Sequence, residues 1–218
     1  LFRYGNKEQY ILPVLTLENI AAIRGSLLTP FGSPQNLFLF TQSGVSTGNF
    51  LLHMFPLWIF SGFLLYIFIL FVFKKDLSEK IEISSDELNQ CWKKESRKKR
   101  ILYISLFLLI IFTILSRIKF WPFITLFVFL SLLIFDSSIL VKTDYVLLLT
   151  FLCFFVFSSS ICRNPVISDF LNKAVTGNEY WWSIILSQII SNVPCAIVLW
   201  PFTDNLTALL YGLDSAGL

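Results

Sequence analysis

Two short polar motifs interrupt apolar parts of the sequence, and both could bind an ion or a small charged solute. The first, Thr29-Pro-Phe-Gly-Ser-Pro-Gln-Asn36, holds two prolines and a glycine within five residues, and the second is Ser191-Asn-Val-Pro194. A proline removes a backbone donor and crowds the preceding turn, so a regular helix does not continue through these motifs. A helix interrupted within a membrane exposes N–H groups that favour anions and carbonyl groups that favour cations.

Enzymatic chemistry has no comparable support in the sequence. The chain holds one histidine and lacks the GxSxG and HExxH motifs of hydrolases and zinc proteases. It also lacks a phosphate-binding loop, so ATP-driven pumping has no support. We therefore expect a protein that is not an enzyme and that has no metal centre.

The composition indicates a membrane protein. Of the 218 residues, 56% are hydrophobic and only 14% are charged, and the mean hydropathy is +0.72. Soluble domains carry about 25% charged residues, so a soluble enzyme, a nucleic-acid-binding domain and a disordered region are excluded. We predict an all-α integral membrane protein, because helices satisfy their own backbone hydrogen bonds in lipid.

Four apolar runs predict spanning helices, separated by a basic segment. The clearest span is 50–73, which holds no Asp, Glu, Lys or Arg and a single His, His53, and the others are 101–116, 120–135 and 145–161. The segment 74–100 holds nine of the 17 basic residues, so the positive-inside rule makes it a cytoplasmic linker. A docking or lipid-binding role for this linker is the alternative. The expected location is the bacterial plasma membrane.

The two polar motifs lie in elements that are poorly built as simple spans. Residues 16–40 predict a broken helix, although an ordinary helix followed by an external loop fits the same residues. In 181–202, about ten residues precede the Ser191–Pro194 motif and would rise about 15 Å, half of a hydrocarbon core. This spacing predicts a re-entrant hairpin with tryptophans at one interface, and a single span kinked at Pro194 is the alternative.

The stretches AAIRGSLLTPFGSPQNLFLF (21–40) and SQIISNVPCAIVLWPFTDN (187–205) resemble the paired signature regions of the ion transporter superfamily. The resemblance is closest to the citrate-transporter-like branch, which includes the arsenite permease and NhaD-type sodium/proton antiporters. It implies two inverted repeats, each with scaffold helices, a re-entrant hairpin and a broken helix. The chain would then be an internal piece in which 1–73 ends the first repeat, 101–218 forms the second, and a second broken helix starts at 206–218.

The resemblance implies a secondary active transporter of a small anion, a citrate-like organic acid or a cation, working by alternating access. The coupling ion would be Na⁺ or H⁺, no other cofactor is expected, and the partners would be the solute, the lipid bilayer and, in a homodimer, a second copy. A non-transporting membrane scaffold or accessory protein is the alternative function. The resemblance places the following residues near the substrate and ion sites: Gly25, Ser26, Thr29, Gly32, Gln35, Asn36, Ser191 and Asn192.

Single polar residues leave further alternatives open. Arg24 departs from the family, which more often has AANxGS where this chain has Ile23 and Arg24, and it would face a cavity, pair with Glu18 or lie near the interface. His53 could relay protons or be an interfacial polar residue. Asp214 is interpreted first as a helix-end residue.

Overall fold

A computed structural model describes residues 11–74 and 97–217, without the side chains of Arg97 and Lys98. Within these ranges the chain is helical and has no strand, which confirms the all-α prediction. The linker prediction for 74–100 falls almost entirely outside the described residues. In chain order the α-helices are α1 (Ile11–Leu27), α2 (Pro34–Ser43), α3 (Thr47–Val72), α4 (Arg97–Leu115), α5 (Trp121–Lys142), α6 (Tyr145–Cys162), α7 (Pro165–Val175), α8 (Glu179–Ile190), α9 (Asn192–Leu199) and α10 (Leu206–Ala216).

Three helices in the described ranges, α3, α5 and α6, are long and apolar enough to cross a membrane. The 26 residues of α3 rise about 39 Å, more than the roughly 30 Å of a hydrocarbon core. Most of their large apolar side chains are exposed; Phe71 in α3, for example, is 79% exposed. An apolar exterior of this kind is suited to lipid rather than to water.

The chain divides into two compact units. The first combines residues 1–74 with 146–218, and its described helices are α1 to α3 and α6 to α10. The second covers residues 75–145 and contains α4 and α5. The two polar motifs both lie in the first unit, so the elements that carry them belong to one packed body.

In the second unit, Asp136 interrupts α5 and joins it to α4. Its backbone leaves helical geometry at φ −157° and ψ 72°, which is where the predicted span 120–135 ends. Its carboxylate accepts hydrogen bonds from Lys99 Nζ at 2.7 Å and Tyr103 OH at 2.5 Å on α4, and from Ser138 Oγ at 2.6 Å. An acid within a membrane helix is costly unless it is paired, and Lys99 supplies the opposite charge.

In the first unit, the broken helix predicted from Pro30 and Pro34 is present. Helix α1 ends at Leu27, and α2 begins at Pro34. A proline in the first turn of a helix has no cost, because the backbone N–H that it lacks would have no partner within the helix. Between them the Gly32 N–H donates to the Thr29 carbonyl at 3.1 Å. A Cβ atom on Gly32 would overlap the Ser26 backbone, so this connection needs glycine. The Asn36 and Phe40 side chains of α2 are fully buried, so an external loop does not describe this segment.

The second interrupted element is a helical hairpin rather than a kinked span. Helices α8 and α9 meet at Ser191, whose φ of 74° and ψ of 159° break the helical path. At the opposite end, the Asp204 N–H donates to Glu179 Oε1 at 3.3 Å. Since Glu179 begins α8 and Asp204 follows the 3₁₀ turn Trp200–Phe202 after α9, the chain enters and leaves on the same side.

Helix α10 is the element on which the first unit assembles. It packs against α2, α3, α8 and α9, and Leu209, Leu210 and Leu213 are almost completely buried. Its closest approach is to α8, where a Cβ atom on Gly212 would overlap the Ser183 hydroxyl and the Tyr180 carbonyl. The absence of a side chain at Gly212 therefore sets the distance between α10 and the hairpin.

We expect Gly212→Leu to lower the free energy of unfolding by about 1–3 kcal/mol, because the added side chain overpacks the α8–α10 contact. Thermal unfolding of the detergent-purified protein measures the change. The matched control is Gly48→Leu, since a Cβ atom on Gly48 meets no atom within 4 Å. Equal unfolding temperatures for the two variants would contradict the close α8–α10 packing.

Candidate substrate and ion site

Three helix ends converge at the last turn of α10. From the start of α2, Gln35 Nε2 donates to Asp214 Oδ1 at 3.2 Å. From the end of α8, Gln188 Nε2 donates to the Ala216 carbonyl at 3.0 Å. From the start of α9, the Asn192 side-chain nitrogen lies 3.0 Å from the position that a Cβ atom on Gly217 would occupy. Both chain interruptions are therefore brought to one place by α10.

Buried polar atoms without partners surround Asp214. Its side chain is 2% exposed and Asn36 is 0% exposed, and the Asn36 amide faces the Asp214 carboxyl group. Among the described residues, Asp214 Oδ2 and both Asn36 side-chain polar atoms, Oδ1 and Nδ2, have no hydrogen-bond partner. A buried polar group without a partner costs about 1–3 kcal/mol. Buried polar groups of this kind make the cluster a candidate site.

A pocket of ≈ 700 Å³, broadly open to its surroundings and called the cavity below, lies at the hairpin tip. Its lining combines four polar residues, Ser187, Gln188, Ser191 and Asn192, with four apolar ones, Phe154, Ile189, Ile190 and Ala216. Ser191 provides no side-chain cap for α9, so its hydroxyl does not satisfy the first N–H groups of that helix. Since helix N-termini attract negative charge and the volume lies in the usual range of ligand pockets, the cavity suits a small anion.

Comparison with known proteins identifies the family. The profile of the citrate transporter family matches residues 4–216. The chain belongs to the citrate transporter family. The resemblance drawn from the two signature stretches is confirmed, and membership in a transporter family agrees with the three apolar helices that can span a bilayer.

Two curated proteins are similar to this chain along almost its whole length. The uncharacterized transporter MJ0456 of Methanocaldococcus jannaschii is 33% identical over 218 residues, which are 100% of this chain and 57% of that protein. The inner membrane protein YbiR of Escherichia coli is 26% identical over 209 residues, 94% of this chain and 54% of that protein. The chain thus spans slightly more than half the length of these relatives. No solved structure matches it significantly.

In this citrate transporter family member, four of the predicted site residues lie at the convergence. Gln35 and Asn36 face Asp214, and Ser191 and Asn192 line the cavity. Their positions follow from the two interruptions, because each pair stands at the first turn after a break.

The other four predicted residues shape the first interruption instead. Ser26 Oγ donates to the Ile23 carbonyl at 2.6 Å, while Thr29 and Gly32 form the turn before α2. Gly25 is exposed on α1, and a Cβ atom there would meet no atom within 4 Å. In the structure these residues contribute backbone geometry rather than side-chain ligands.

Sequence reasoning missed Asp214, Gln188 and Gly217. Asp214 was interpreted as a helix-end residue, and it does lie in the last turn of α10, but it is buried against α2. The available signal was an acid in a segment that the resemblance assigns to a broken membrane helix, where an ionisable residue indicates function. Gln188 and Gly217 carry no comparable signal, because their roles depend on the contact between α8, α9 and α10.

Arg24 packs against α3 instead of pairing with Glu18. Its guanidinium lies 4.3 Å from the centre of the Trp58 ring, and a Cβ atom on Gly62 would overlap it. In the described part of the chain Arg24 forms no ion pair, and its Nε atom is buried without a hydrogen bond. Of the alternatives left open for Arg24, a pair with Glu18 is therefore not formed among the described residues, and the guanidinium instead occupies the space that Gly62 leaves on α3.

His53 connects α3 to the beginning of α10. Its Nδ1 atom lies 3.1 Å from Thr207 Oγ1, and its carbonyl accepts a hydrogen bond from Tyr211 OH at 2.6 Å. The side chain is exposed. The structure thus gives His53 a contact between two helices of the first unit.

We expect Arg24 and Trp58 to be energetically coupled by about 0.5–2 kcal/mol, the range of a cation–π contact. A double-mutant cycle with Arg24→Gln, Trp58→Leu and the double variant measures the coupling from unfolding in detergent. Glu18→Gln is the control and should leave the stability unchanged. A loss of stability for Glu18→Gln as large as that for Arg24→Gln would contradict this prediction and indicate an ion pair between Glu18 and Arg24.

Proposed function

We propose that the protein is a secondary active transporter that binds a small carboxylate anion in the cavity at the hairpin tip. The sequence left a small anion, a citrate-like organic acid and a cation as candidate solutes. The chemistry of the cavity favours the anion. We further propose that transport occurs by alternating access and is coupled to Na⁺ or H⁺. The membrane would be the bacterial plasma membrane.

The observation that carries the proposal is the convergence of both chain interruptions on the last turn of α10. A broken helix and a hairpin are costly in lipid, because each frees backbone polar groups that lipid cannot satisfy. Transporters use such elements to build solute sites at membrane depth. A chain built only as a scaffold has no need for two interruptions that meet at one cavity.

The cavity favours an anion for two reasons. None of its lining residues has an ionisable side chain, so no carboxylate there repels a negative solute. Asn192, the first residue of α9, lines the cavity, and helix N-termini stabilise negative charge. A citrate-like carboxylate has the charge and size that such a cavity accommodates.

Alternating access requires helices that move relative to the rest of the protein while the solute site stays intact. Within the two interrupted elements, helical geometry stops at the connection 28–33 and at Ser191, and breaks of this kind absorb changes in backbone angles. The hairpin is held to α10 by the Gly212 contact and by the Gln188 hydrogen bond. We therefore propose that α8, α9 and α10 move together.

We expect Asn192→Ala and Gln188→Ala to reduce citrate uptake about 10- to 100-fold, since a hydrogen bond to a charged group contributes about 1.5–3 kcal/mol. The measurement is uptake of radiolabelled citrate into liposomes that contain the full-length protein, with a panel of other carboxylates in parallel. Gln42→Ala, at an exposed position late in α2, is the matched control. Membrane insertion of each variant is checked by its yield after reconstitution.

Two results would contradict this proposal. Wild-type rates for Asn192→Ala and Gln188→Ala would place the solute outside the cavity. Saturable uptake of a cation with no uptake of any carboxylate would overturn the assignment of an anion.

A further inference from the structure

We propose that Arg24 is an anion-binding position of this transporter, at which the guanidinium binds one carboxylate group of the solute and so selects anions that carry more than one carboxylate. The inference rests on the proposed function and deepens it, because it names a residue that distinguishes between carboxylate solutes. It is based on the depth of Arg24 in the bilayer, the lack of an acidic partner, and the donors that its ring contact leaves free.

The contact between α1 and α3 places Arg24 far from both membrane surfaces. Its guanidinium lies over the Trp58 ring and against Gly62, and Gly62 is 15 residues after Thr47 and 10 before Val72, the two ends of α3. At 1.5 Å per residue, these ends are about 22 and 15 Å away along the helix. A side chain at this depth cannot extend to the headgroups as arginines near helix ends do. A phospholipid phosphate is therefore excluded as the counter-ion of Arg24.

No acidic side chain among the described residues neutralises Arg24. Helix α3, against which α1 packs, contains no Asp or Glu. The one acid of α1, Glu18, is exposed and forms no ion pair with Arg24, and Asp214 accepts a hydrogen bond from Gln35 instead. A charged side chain within a bilayer is costly unless it is paired or faces a polar cavity, and it commonly marks the path of a solute.

The stacking on Trp58 holds the guanidinium without using its hydrogen-bond donors. The Arg24 Cζ atom lies 4.3 Å from the centre of the ring, so the ring covers one face of the planar group. The Nε atom is buried and has no hydrogen bond, while the side chain as a whole is half-buried. The five N–H donors of an arginine lie at the edge of the plane, in a fork that matches a carboxylate. A carboxylate can therefore bind at the edge while Trp58 stays on the face.

Arg24 lies beside the place where the two chain interruptions meet. The Cγ2 atom of the preceding residue, Ile23, is 3.8 Å from the position that a Cβ atom on Gly217 would occupy, and the Asn192 side-chain nitrogen is 3.0 Å from the same position. Helix α1 thus carries a fixed positive charge next to a residue of the cavity, whose own lining has no ionisable side chain. The first carboxylate of a solute would bind at Asn192, and Arg24 would bind a second one.

This arrangement predicts selection by the number of carboxylates. A solute with one carboxylate at the start of α9 gains no contact with Arg24. A solute with two can also form a bidentate pair with the guanidinium, and such charge-assisted pairs are about twice as strong as neutral hydrogen bonds. The ring of Trp58 keeps the fork in one orientation, so the second carboxylate meets a preorganised partner.

The experiment compares lactate with malate, which differs from lactate by one added carboxylate, in the full-length protein. Unlabelled lactate or malate competes with radiolabelled citrate for uptake into liposomes, and the unfolding temperature of the detergent-purified protein is measured with each anion. The variants are Arg24→Gln, Arg24→Lys and Trp58→Leu. Arg163→Gln, which removes an exposed arginine directly after α6, is the matched control.

We expect Arg24→Gln to weaken malate binding about 10- to 100-fold and to leave lactate binding unchanged, because hydrogen bonds to a charged group are lost only for the second carboxylate. Arg24→Lys should keep part of the preference for malate, since it retains the charge without the fork. Trp58→Leu should lower the unfolding temperature but keep the preference, because the guanidinium is still present. Arg163→Gln should match wild type.

Two outcomes would overturn the inference. Equal weakening of malate and lactate in Arg24→Gln would show that Arg24 acts only through packing, and the same result in Arg24→Lys decides the question if Arg24→Gln fails to fold. An undiminished preference for malate in Arg24→Gln would show that an acid elsewhere in the full-length protein neutralises Arg24. Neither outcome affects the function proposed above when wild type takes up citrate. If wild type takes up no carboxylate, that function fails, and the unfolding temperature with malate decides whether Arg24 binds an anion.

Discussion

A helix that stops within a bilayer leaves backbone and side-chain polar groups in a medium that offers them no hydrogen bonds, and the first unit is organised by this constraint. Both interruptions are brought to the last turn of α10, where Gln35, Gln188 and Asn192 meet Asp214, Ala216 and Gly217. Because Gly212 has no side chain, α10 packs closely against α8, and this close packing allows the helix ends to converge. Without that approach the freed groups would face lipid, which is the costly alternative.

Two aspartates show how differently the chain treats negative charge in apolar surroundings. Asp136, in the second unit, is fully engaged by Lys99, Tyr103 and Ser138, and its role is to hold the irregular turn of α5 against α4. Asp214, in the first unit, has a single amide donor and one free oxygen. A paired acid fixes a structure, whereas an unpaired buried acid has more than one accessible state. The difference makes Asp214, rather than Asp136, the candidate for site chemistry.

The parts of the fold that sequence reasoning could predict are those determined by local chemistry. Pro30 and Pro34 forbid a continuous helix through the first motif whatever packs against it, and the break lies between Leu27 and Pro34. The hairpin was predicted with a kinked span as its alternative, because tryptophans at 181, 182 and 200 are compatible with both. The bond between Glu179 and Asp204 decides it, and that contact has no local signature.

The residues that sequence reasoning missed depend on contacts between distant segments. Gln35 and Asp214 are 179 positions apart, so neither periodicity nor composition connects them. The same holds for Arg24. Glu18 is the acid nearest to it on α1, but the guanidinium contacts Trp58 and Gly62 on α3. The contact with Trp58 assigns the Arg24 guanidinium to the packing of α1 on α3 rather than to the hydrogen bonds around Asp214.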